Sequence, residues 1–202
     1  MFTICEINNK ENTQIQQIVD IHMRAFSGFF LTFLGAGFLR QMYSSYCEHP
    51  QSGLLAAMDE SGDPVGFLAY SADLSGLYKY MIKRHVFSFG WYAFCAFLRK
   101  PAIFIRLFRA FLKPGESKRQ EAYVELSSIG VSPDVMNGGV GSLLISELKK
   151  RVDFNVYRYI TLETDAVDNE KANCFYQKNA FRLVRTFETP EGRKMNEYRY
   201  RG

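Results

Sequence analysis

Apolar and polar positions recur with two different periods along the 202-residue chain, and each change of period marks a new element. A period of two predicts strands over 2–7, 53–59, 65–71, 122–131, 159–163, 181–187 and 195–200. A period near 3.6 predicts helices that follow Asn12, Gly35, Gly139 and Asn169. The turn-rich segment 60–64 joins the second and third strands into an antiparallel hairpin. The order strand, glycine turn, helix, strand, helix in the second half predicts an α/β layout around a mixed sheet.

Composition places the chain among ordinary globular proteins, with 47% hydrophobic and 23% charged residues. These fractions exclude a disordered, collagen-like or coiled-coil chain, and the length favours a single domain over 1–202. A net charge of +4 and the absence of base-reading motifs argue against nucleic-acid binding. The four cysteines are far apart without a CxxC pair, which indicates reduced thiols in a cytoplasmic protein. The N-terminus lacks the pattern of a signal peptide.

An aromatic and basic segment at about 74–120 interrupts the pattern, with ten Lys or Arg residues and Glu116 as its one acid. Its longest uncharged run, 86–98, is shorter than the ~20 residues of a membrane span. The segment predicts two or three amphipathic helices inserted between neighbouring strands. Three interpretations remain open: solvated helices with a basic outer face, a cover over an acceptor site that attracts an acidic substrate, or an amphipathic face on an anionic membrane.

The glycine turn that follows the fourth predicted strand is a candidate phosphate site. Glycines let the main chain approach a ligand, and the first N–H groups of a helix converge there with partial positive charge. The turn is not a Walker motif, because Ser142 follows Gly141 where a lysine would stand. It is not a dinucleotide fingerprint either, because Leu144 occupies the position of the third glycine.

Two motifs resemble the GNAT acetyltransferase superfamily. Val131-Ser-Pro133 and the following 136–141 segment are similar to its acetyl-CoA motif, Val-x-Pro then Arg/Gln-x-x-Gly-x-Gly/Ala, with Met136 at the first position. The stretch 169–181 is similar to Asn-x-x-Ala-x-x-Phe/Leu-Tyr-x-Lys-x-Gly-Phe, with Ala180 in place of the last glycine. The motifs stand in the family's order and cover roughly 121–187. The resemblance implies three layers, with a mixed, mostly antiparallel sheet between helices on both faces.

The resemblance also implies roles for individual residues. Ile129 and Val131 would offer main-chain groups to the pantetheine arm of acetyl-CoA, Asn169 would bond the same region, and Tyr176 would protonate the departing sulfur. The pyrophosphate would be bound by the N–H groups of Met136, Asn137, Gly138, Gly139, Val140, Gly141 and Ser142.

The base that the family reaction needs has several candidates in this sequence. Direct attack of a neutral amine on the thioester requires removal of a proton, and Glu125, Glu163 and Asp165 all lie on or next to the strands that flank the glycine turn. Each is equally interpreted as a solvated carboxylate at a strand end. His22 is interpreted as a packed or partly exposed histidine rather than a ligand. The three histidines are isolated, so no metal site is predicted.

The sequence therefore predicts a cytoplasmic N-acetyltransferase that uses acetyl-CoA and no metal. Its acceptor is predicted to be a primary amine of a small molecule, such as an amino sugar or a nucleotide-linked amine. A non-catalytic CoA-binding module and a peripheral membrane acyltransferase are the alternatives. The aromatic insertion is also compatible with a homodimer.

Overall fold

The computed structural model describes residues 2–8, 12–99, 101, 121–135, 138–189 and 192–202. Its strands are β1 (Thr3–Glu6), β2 (Ser52–Met58), β3 (Pro64–Ser71), β4 (Tyr123–Val131), β5 (Tyr159–Asp165), β6 (Arg182–Glu188) and β7 (Lys194–Tyr200). Its α-helices are α1 (Asn12–Ala25), α2 (Phe30–Leu34), α3 (Ala36–Glu48), α4 (Leu74–Arg99), α5 (Val140–Arg151) and α6 (Glu170–Lys178). The predicted strands and helices are confirmed within a few residues at their ends. The short helix α2 was not predicted, because its five residues are too few to show a helical period.

The strands form one seven-stranded sheet in the order β1-β2-β3-β4-β5-β7-β6. The β4–β5 pair is parallel and the remaining neighbours are antiparallel, which confirms the mixed, mostly antiparallel sheet. The predicted hairpin is β2–β3. The placement of β7 between β5 and β6 was not predicted, because the periodicity of a strand carries no information about its neighbours.

Helices cover both faces of the sheet, as the resemblance implied. The alternation of β2 shows why: Leu54 and Ala56 belong to the core beneath α1 and α3, whereas Leu55 and Ala57 belong to the core beneath α5. Successive residues of β2 therefore enter the two cores in turn. The sheet is the middle layer of three.

Helix α4 begins the predicted insertion and lies between β3 and β4, which are neighbours in the sheet. Leu77 and Met81 bury its first half against α1 and α3. Non-helical backbone at His85 (φ −124°, ψ 22°) bends the helix there. Tyr92, beyond the bend, packs against Gly37 of α3, where a side chain larger than glycine would collide with its ring. The rest of the insertion, where the other predicted amphipathic helices would lie, is outside the described residues except for residue 101.

Strands β4 and β5 separate soon after they begin. They pair only from Tyr123 to Glu125, opposite Tyr159 to Thr161. On the other edge of β4, Ala69 faces Ser128 and Tyr70 faces Leu126, so one extra residue, Ser127, forms a bulge. A bulge bends a strand and increases its twist. The bulge coincides with the point where β4 leaves β5 and a cleft opens between them.

Candidate active site

The cleft between the separated strands has a volume of about 1040 Å³. One side is formed by the second half of β4 and the glycine turn that begins α5. The other side is formed by the end of β5 and by α6, and residues from the α1–α2 region close one end. A pocket of this size with a few convergent polar groups is the usual form of a ligand site.

The open edge of β4 presents main-chain groups to the cleft. The N–H of Ser132 donates to the carbonyl of Val65 at 2.8 Å, so Ser132 faces β3. The N–H and C=O groups of successive strand residues point to opposite edges of the strand. The N–H and C=O groups of Ile129 and Val131 therefore point away from β3. Both residues line the cleft. Among the described residues, no strand pairs with this edge of β4 beyond Glu125. The contact of Ile129 and Val131 with the pantetheine arm stays a prediction.

The glycine turn is an N–H cradle at the start of α5. Gly139 has φ +76° and ψ 0°, and it precedes the first helical residue. Val140, Gly141 and Ser142 are first-turn residues, whose N–H groups have no partner within the helix, and all three line the cleft. A side chain at Gly139 would meet no atom within 4 Å, so it would project into open space. A side chain at Gly141 would come within 2.9 Å of the Phe175 ring, which explains glycine there.

The segment before the glycine turn is fixed to α1. Both Asp134 carboxylate oxygens accept hydrogen bonds from Arg24, at 2.9 and 2.8 Å. The hydrogen bonds from Arg24 hold the pKa of Asp134 below its usual value, and the Ser132 hydroxyl adds to the effect. Gly138 lies in the described part of the turn and is exposed. Met136 and Asn137, which the resemblance assigned to the same turn, lie outside the described residues.

Tyr176 lines the cleft from α6. Its ring packs among Phe175, Phe181 and Tyr198 with centroid distances of 5.3, 6.1 and 6.0 Å. This burial raises the pKa of Tyr176 to about 12. The phenol therefore keeps its proton at neutral pH and is able to donate it.

The cleft contains three carboxylates, Glu163, Asp165 and Glu170. Arg193 binds Asp165 through both carboxylate oxygens at 2.7 and 2.8 Å, so that charge is already neutralised. Glu163, two residues earlier on β5, is exposed. Of the two glutamates predicted as base, the cleft contains Glu163.

Glu125 does not belong to the described lining of the cleft. It lies before the point where β4 and β5 separate, opposite Thr161. Its charge acts instead on buried Tyr46, whose pKa is raised mainly by burial and further by Glu125. The structure therefore does not bring Glu125 together with the other predicted residues, because the sheet is still closed at its position.

Asn169 lines the cleft immediately before α6. Its amide donates to the Thr164 hydroxyl at 2.8 Å and to the Asp165 carbonyl at 3.3 Å. Asn173, one helical turn later, donates to the same carbonyl at 2.9 Å. These bonds tie α6 to the end of β5 and so fix the position of Tyr176 relative to Glu163.

The end of the cleft opposite α6 contains residues that the sequence did not assign to the site. His22 lines it together with Phe26, Phe29, Ser127 and Ser128. His22 is buried, and a 2.6 Å hydrogen bond joins its Nδ1 to the Tyr43 hydroxyl. Burial lowers the pKa of His22 to about 4, so the ring is neutral at pH 7.

One polar atom at this end lacks a hydrogen-bond partner. The His22 Nε2 is buried without a partner among the described residues, whereas the Ser127 hydroxyl interacts with the hydroxyl of Tyr46. Unpaired buried polar atoms are rare in proteins and are usually satisfied by water or a ligand. The interpretation of His22 as a packed histidine is right about its burial and incomplete about its position. The serine pair within an otherwise apolar strand was the available signal for Ser127.

The part of the chain that the structure describes contains no cluster of three His, Cys, Asp or Glu side chains arranged for a metal ion. Its four cysteines are free thiols. None of its helices is both long and apolar enough to cross a bilayer.

Comparison with known families decides the family of the chain. The model of the acetyltransferase (GNAT) family matches residues 15–181. The chain belongs to this GNAT family. The match includes the glycine turn, β5 and α6, so the resemblance stated from the two motifs is confirmed. The family is one of acetyltransferases, and the GNAT chain is an enzyme of this class.

Solved structures show the same fold as this GNAT chain. NAA60 of Arabidopsis thaliana in complex with acetyl-CoA superposes with a TM-score of 0.60 at 16% identity, covering 100% of this chain and 98% of NAA60. The ribosomal-protein-S18-alanine N-acetyltransferase of Escherichia coli gives 0.60 at 14% identity, covering 100% and 94%. An acetyltransferase of Thermus thermophilus gives 0.58 at 12% identity, covering 100% and 97%. No curated protein matches the sequence.

Proposed function

We propose that the chain transfers the acetyl group of acetyl-CoA to a primary amine of a small molecule, such as an amino sugar or a nucleotide-linked amine. The observation that carries the proposal is one cleft that contains an N–H cradle, a partly buried protonated phenol and an exposed carboxylate. Acetyl-CoA as donor is supported by the family and by the NAA60 structure, which contains it.

The described residues fit the donor. The open space at Gly139 and the first N–H groups of α5 suit a pyrophosphate. The main-chain groups of Ile129 and Val131 suit the amides of a pantetheine arm, and Asn169 lines the same cleft. Bound there, acetyl-CoA supplies an activated thioester carbonyl.

Two side chains perform the proton transfers in this proposal. Glu163 accepts a proton from the incoming amine, because it is an exposed carboxylate that lines the cleft. The amine nitrogen attacks the carbonyl carbon, and the carbon–sulfur bond breaks. Tyr176 donates its phenolic proton to the departing sulfur. The nitrogen then passes its second excess proton to the Tyr176 phenolate, and Glu163 releases its proton to water. The ammonium ion and the thioester thus give the amide, the free thiol and one proton, and both side chains regain their starting states.

The end lined by His22, Phe26 and Phe29 is the proposed acceptor end, because none of these residues belongs to the glycine turn or to the β4 edge that the donor would use. Its aromatic rings would pack on the body of the acceptor, and His22 Nε2 would form a hydrogen bond with one of the acceptor's polar groups. The carboxylates of the cleft favour a cationic amine before it loses its proton.

A second candidate acceptor is the N-terminal amine of a protein. The observation that favours it is the shared fold with the Escherichia coli enzyme, which acts on an N-terminal alanine of ribosomal protein S18 by its name. The two candidates differ in the acceptor and not in the donor side of the cleft.

The test is the release of free thiol from acetyl-CoA in the presence of two amine panels. One panel contains amino sugars and nucleotide-linked amines, and the other contains short peptides with free N-termini. We expect turnover with a member of the first panel. Turnover with the peptides alone would replace the small molecule by a protein acceptor. Binding of acetyl-CoA without turnover on either panel would contradict the proposed transfer.

A further inference from the structure

Helix α4 has an outward face of exposed apolar side chains. We define this outer face by Ile82, Val86, Trp91, Phe94 and Leu98, each more than half exposed. Val86, Phe94 and Leu98 follow the four-residue spacing of one helix side. Single exposed apolar residues are normal, whereas a contiguous group marks an interaction surface.

The opposite side of the same helix is fixed to the body of the protein. Leu77 and Met81 belong to the core formed with α1 and α3. Tyr92 packs against Gly37. The outer face is therefore exposed on a helix that is already anchored. The helix is apolar on two sides, and the described residues bury only one of them.

Charge identifies the kind of surface that would cover the outer face. Residues 74–99 include Lys79, Lys83, Arg84 and Arg99, and they include no Asp or Glu. Lys79 and Lys83 are exposed. Lys79 lies three residues before Ile82 and four before Lys83, so the two lysines flank Ile82 on the part of the helix before the bend. A second copy of the helix would bring like charges together. An anionic lipid surface offers both complementary charge and an apolar interior.

The structure weakens the two other interpretations of the insertion. Of the described residues of α4, none lines the cleft, so this half of the insertion does not cover the acceptor end. Its outer face is also apolar, unlike that of a solvated helix. We propose that the outer face of α4 docks on an anionic bilayer. Trp91, Phe94 and Leu98 enter the headgroup boundary, while Lys79 and Lys83 contact lipid phosphates.

The chain provides its own probe for this contact. Trp91 is its one tryptophan and is 64% exposed, so all tryptophan fluorescence reports on the outer face. The full chain is mixed with phosphatidylcholine vesicles with or without phosphatidylglycerol. We expect a blue shift of the emission and co-sedimentation with the anionic vesicles, both reduced by salt. Neutral vesicles should produce much less of either.

Variants separate the outer face from exposed apolar residues elsewhere. The double variant Phe94→Ser, Leu98→Ser should lose the blue shift and the co-sedimentation. The control Val156→Ser, Leu183→Ser alters comparably exposed residues outside α4 and should retain both. Lys79→Gln and Lys83→Gln should each weaken binding to anionic vesicles about fivefold. Circular dichroism verifies the fold of every variant, and the two lysine variants test the proposal independently if the double variant misfolds.

Two results would overturn the proposal. The first is an unchanged Trp91 emission together with a protein that stays in the supernatant of anionic vesicles. The second is a concentration-dependent dimer that Phe94→Ser, Leu98→Ser dissociates, because the outer face would then belong to a second copy of the chain.

Discussion

At the scale of single residues, the cleft combines a phenol packed among aromatic rings with an exposed carboxylate. Aromatic packing raises the pKa of Tyr176 to about 12, so the phenol is a proton donor. Glu163 is exposed to solvent on β5. Burial of one group and exposure of the other therefore assigns the acid and the base in the proposed reaction.

Replacement of the acid tests its part directly. Tyr176→Phe should lower kcat by about 100-fold, because general acid catalysis contributes at least this much in enzymes. The KM for acetyl-CoA should change little. Steady-state thiol release measures both, with Tyr157→Phe as the control, because Tyr157 is also partly buried and lies outside the described lining. An equal loss in both variants would indicate a structural effect.

The raised pKa of Tyr176 also predicts how kcat depends on pH in the alkaline range. Because the pKa of Tyr176 is about 12, its ionisation should not reduce kcat between about pH 8 and 10. The rate at saturating substrate measured over this range checks the prediction. A decline centred near the ordinary pKa of tyrosine, about 10, would show that the acid is less shielded than its packing implies.

Replacement of the base has a different signature. Glu163→Gln should lower the rate by about 100-fold near pH 7. The loss should shrink as the pH rises, because the amine then loses its proton to water without assistance. The control is Glu170→Gln, which removes another carboxylate of the cleft. A ratio of wild-type to variant rate that is constant with pH would argue against a base at Glu163.

At the scale of elements, the glycine turn depends on the positive φ angle of one residue. Gly139 adopts φ +76° at the start of α5, and Gly62 adopts φ +83° in the β2–β3 turn. Neither would place a side chain against another atom. Both glycines adopt a positive φ angle, and only Gly139 lines the cleft.

This pair gives a matched experiment. Gly139→Ala and Gly62→Ala should each lower the free energy of unfolding by about 1 kcal/mol, because an L side chain disfavours this conformation. Only Gly139→Ala should also weaken acetyl-CoA binding, since its methyl group fills the space proposed for the pyrophosphate. Denaturant unfolding and calorimetric titration measure the two effects. Equal acetyl-CoA affinity in both variants would contradict the placement of the pyrophosphate.

The elements themselves were largely readable from the sequence. Periodicity located the seven strands and all the described helices except α2. It could not reveal the bend at His85 or the bulge at Ser127, because each depends on what packs against the element. It could not separate Glu125 from Glu163 either, since that choice depends on where β4 leaves β5.

At the scale of the whole molecule, one buried histidine connects the cleft to overall stability. His22 sits against the rings of Phe26, Tyr43 and Phe67. Burial lowers its pKa from 6.5 to about 4. Below the unfolded value the unfolded chain binds a proton that the native chain excludes, so stability falls as the pH decreases from about 6.5 to about 4.

The expected loss across this range is about 3 kcal/mol in the free energy of unfolding. Urea unfolding at a series of pH values measures it, and His22→Gln should flatten the dependence. The Arg24–Asp134 pair loses its contribution only as the pH falls below the ordinary 3.8 of that carboxyl, so it does not overlap this window. An unchanged slope in His22→Gln would assign the loss to other groups.

The sequence by itself predicted the elements, the mixed sheet and the glycine turn proposed for the donor, since a glycine turn and its helix are contiguous in the chain. Local motifs can point to Gly139, Gly141 and Tyr176 because the motif neighbours of each are close in sequence. The tertiary structure alone brought His22 and Ser127 to one cleft, through α1 and the bulge of β4, at the proposed acceptor end. It also decided that the outer face of α4 stays exposed. Both depend on packing between segments distant in sequence, and periodicity within one segment does not encode that packing.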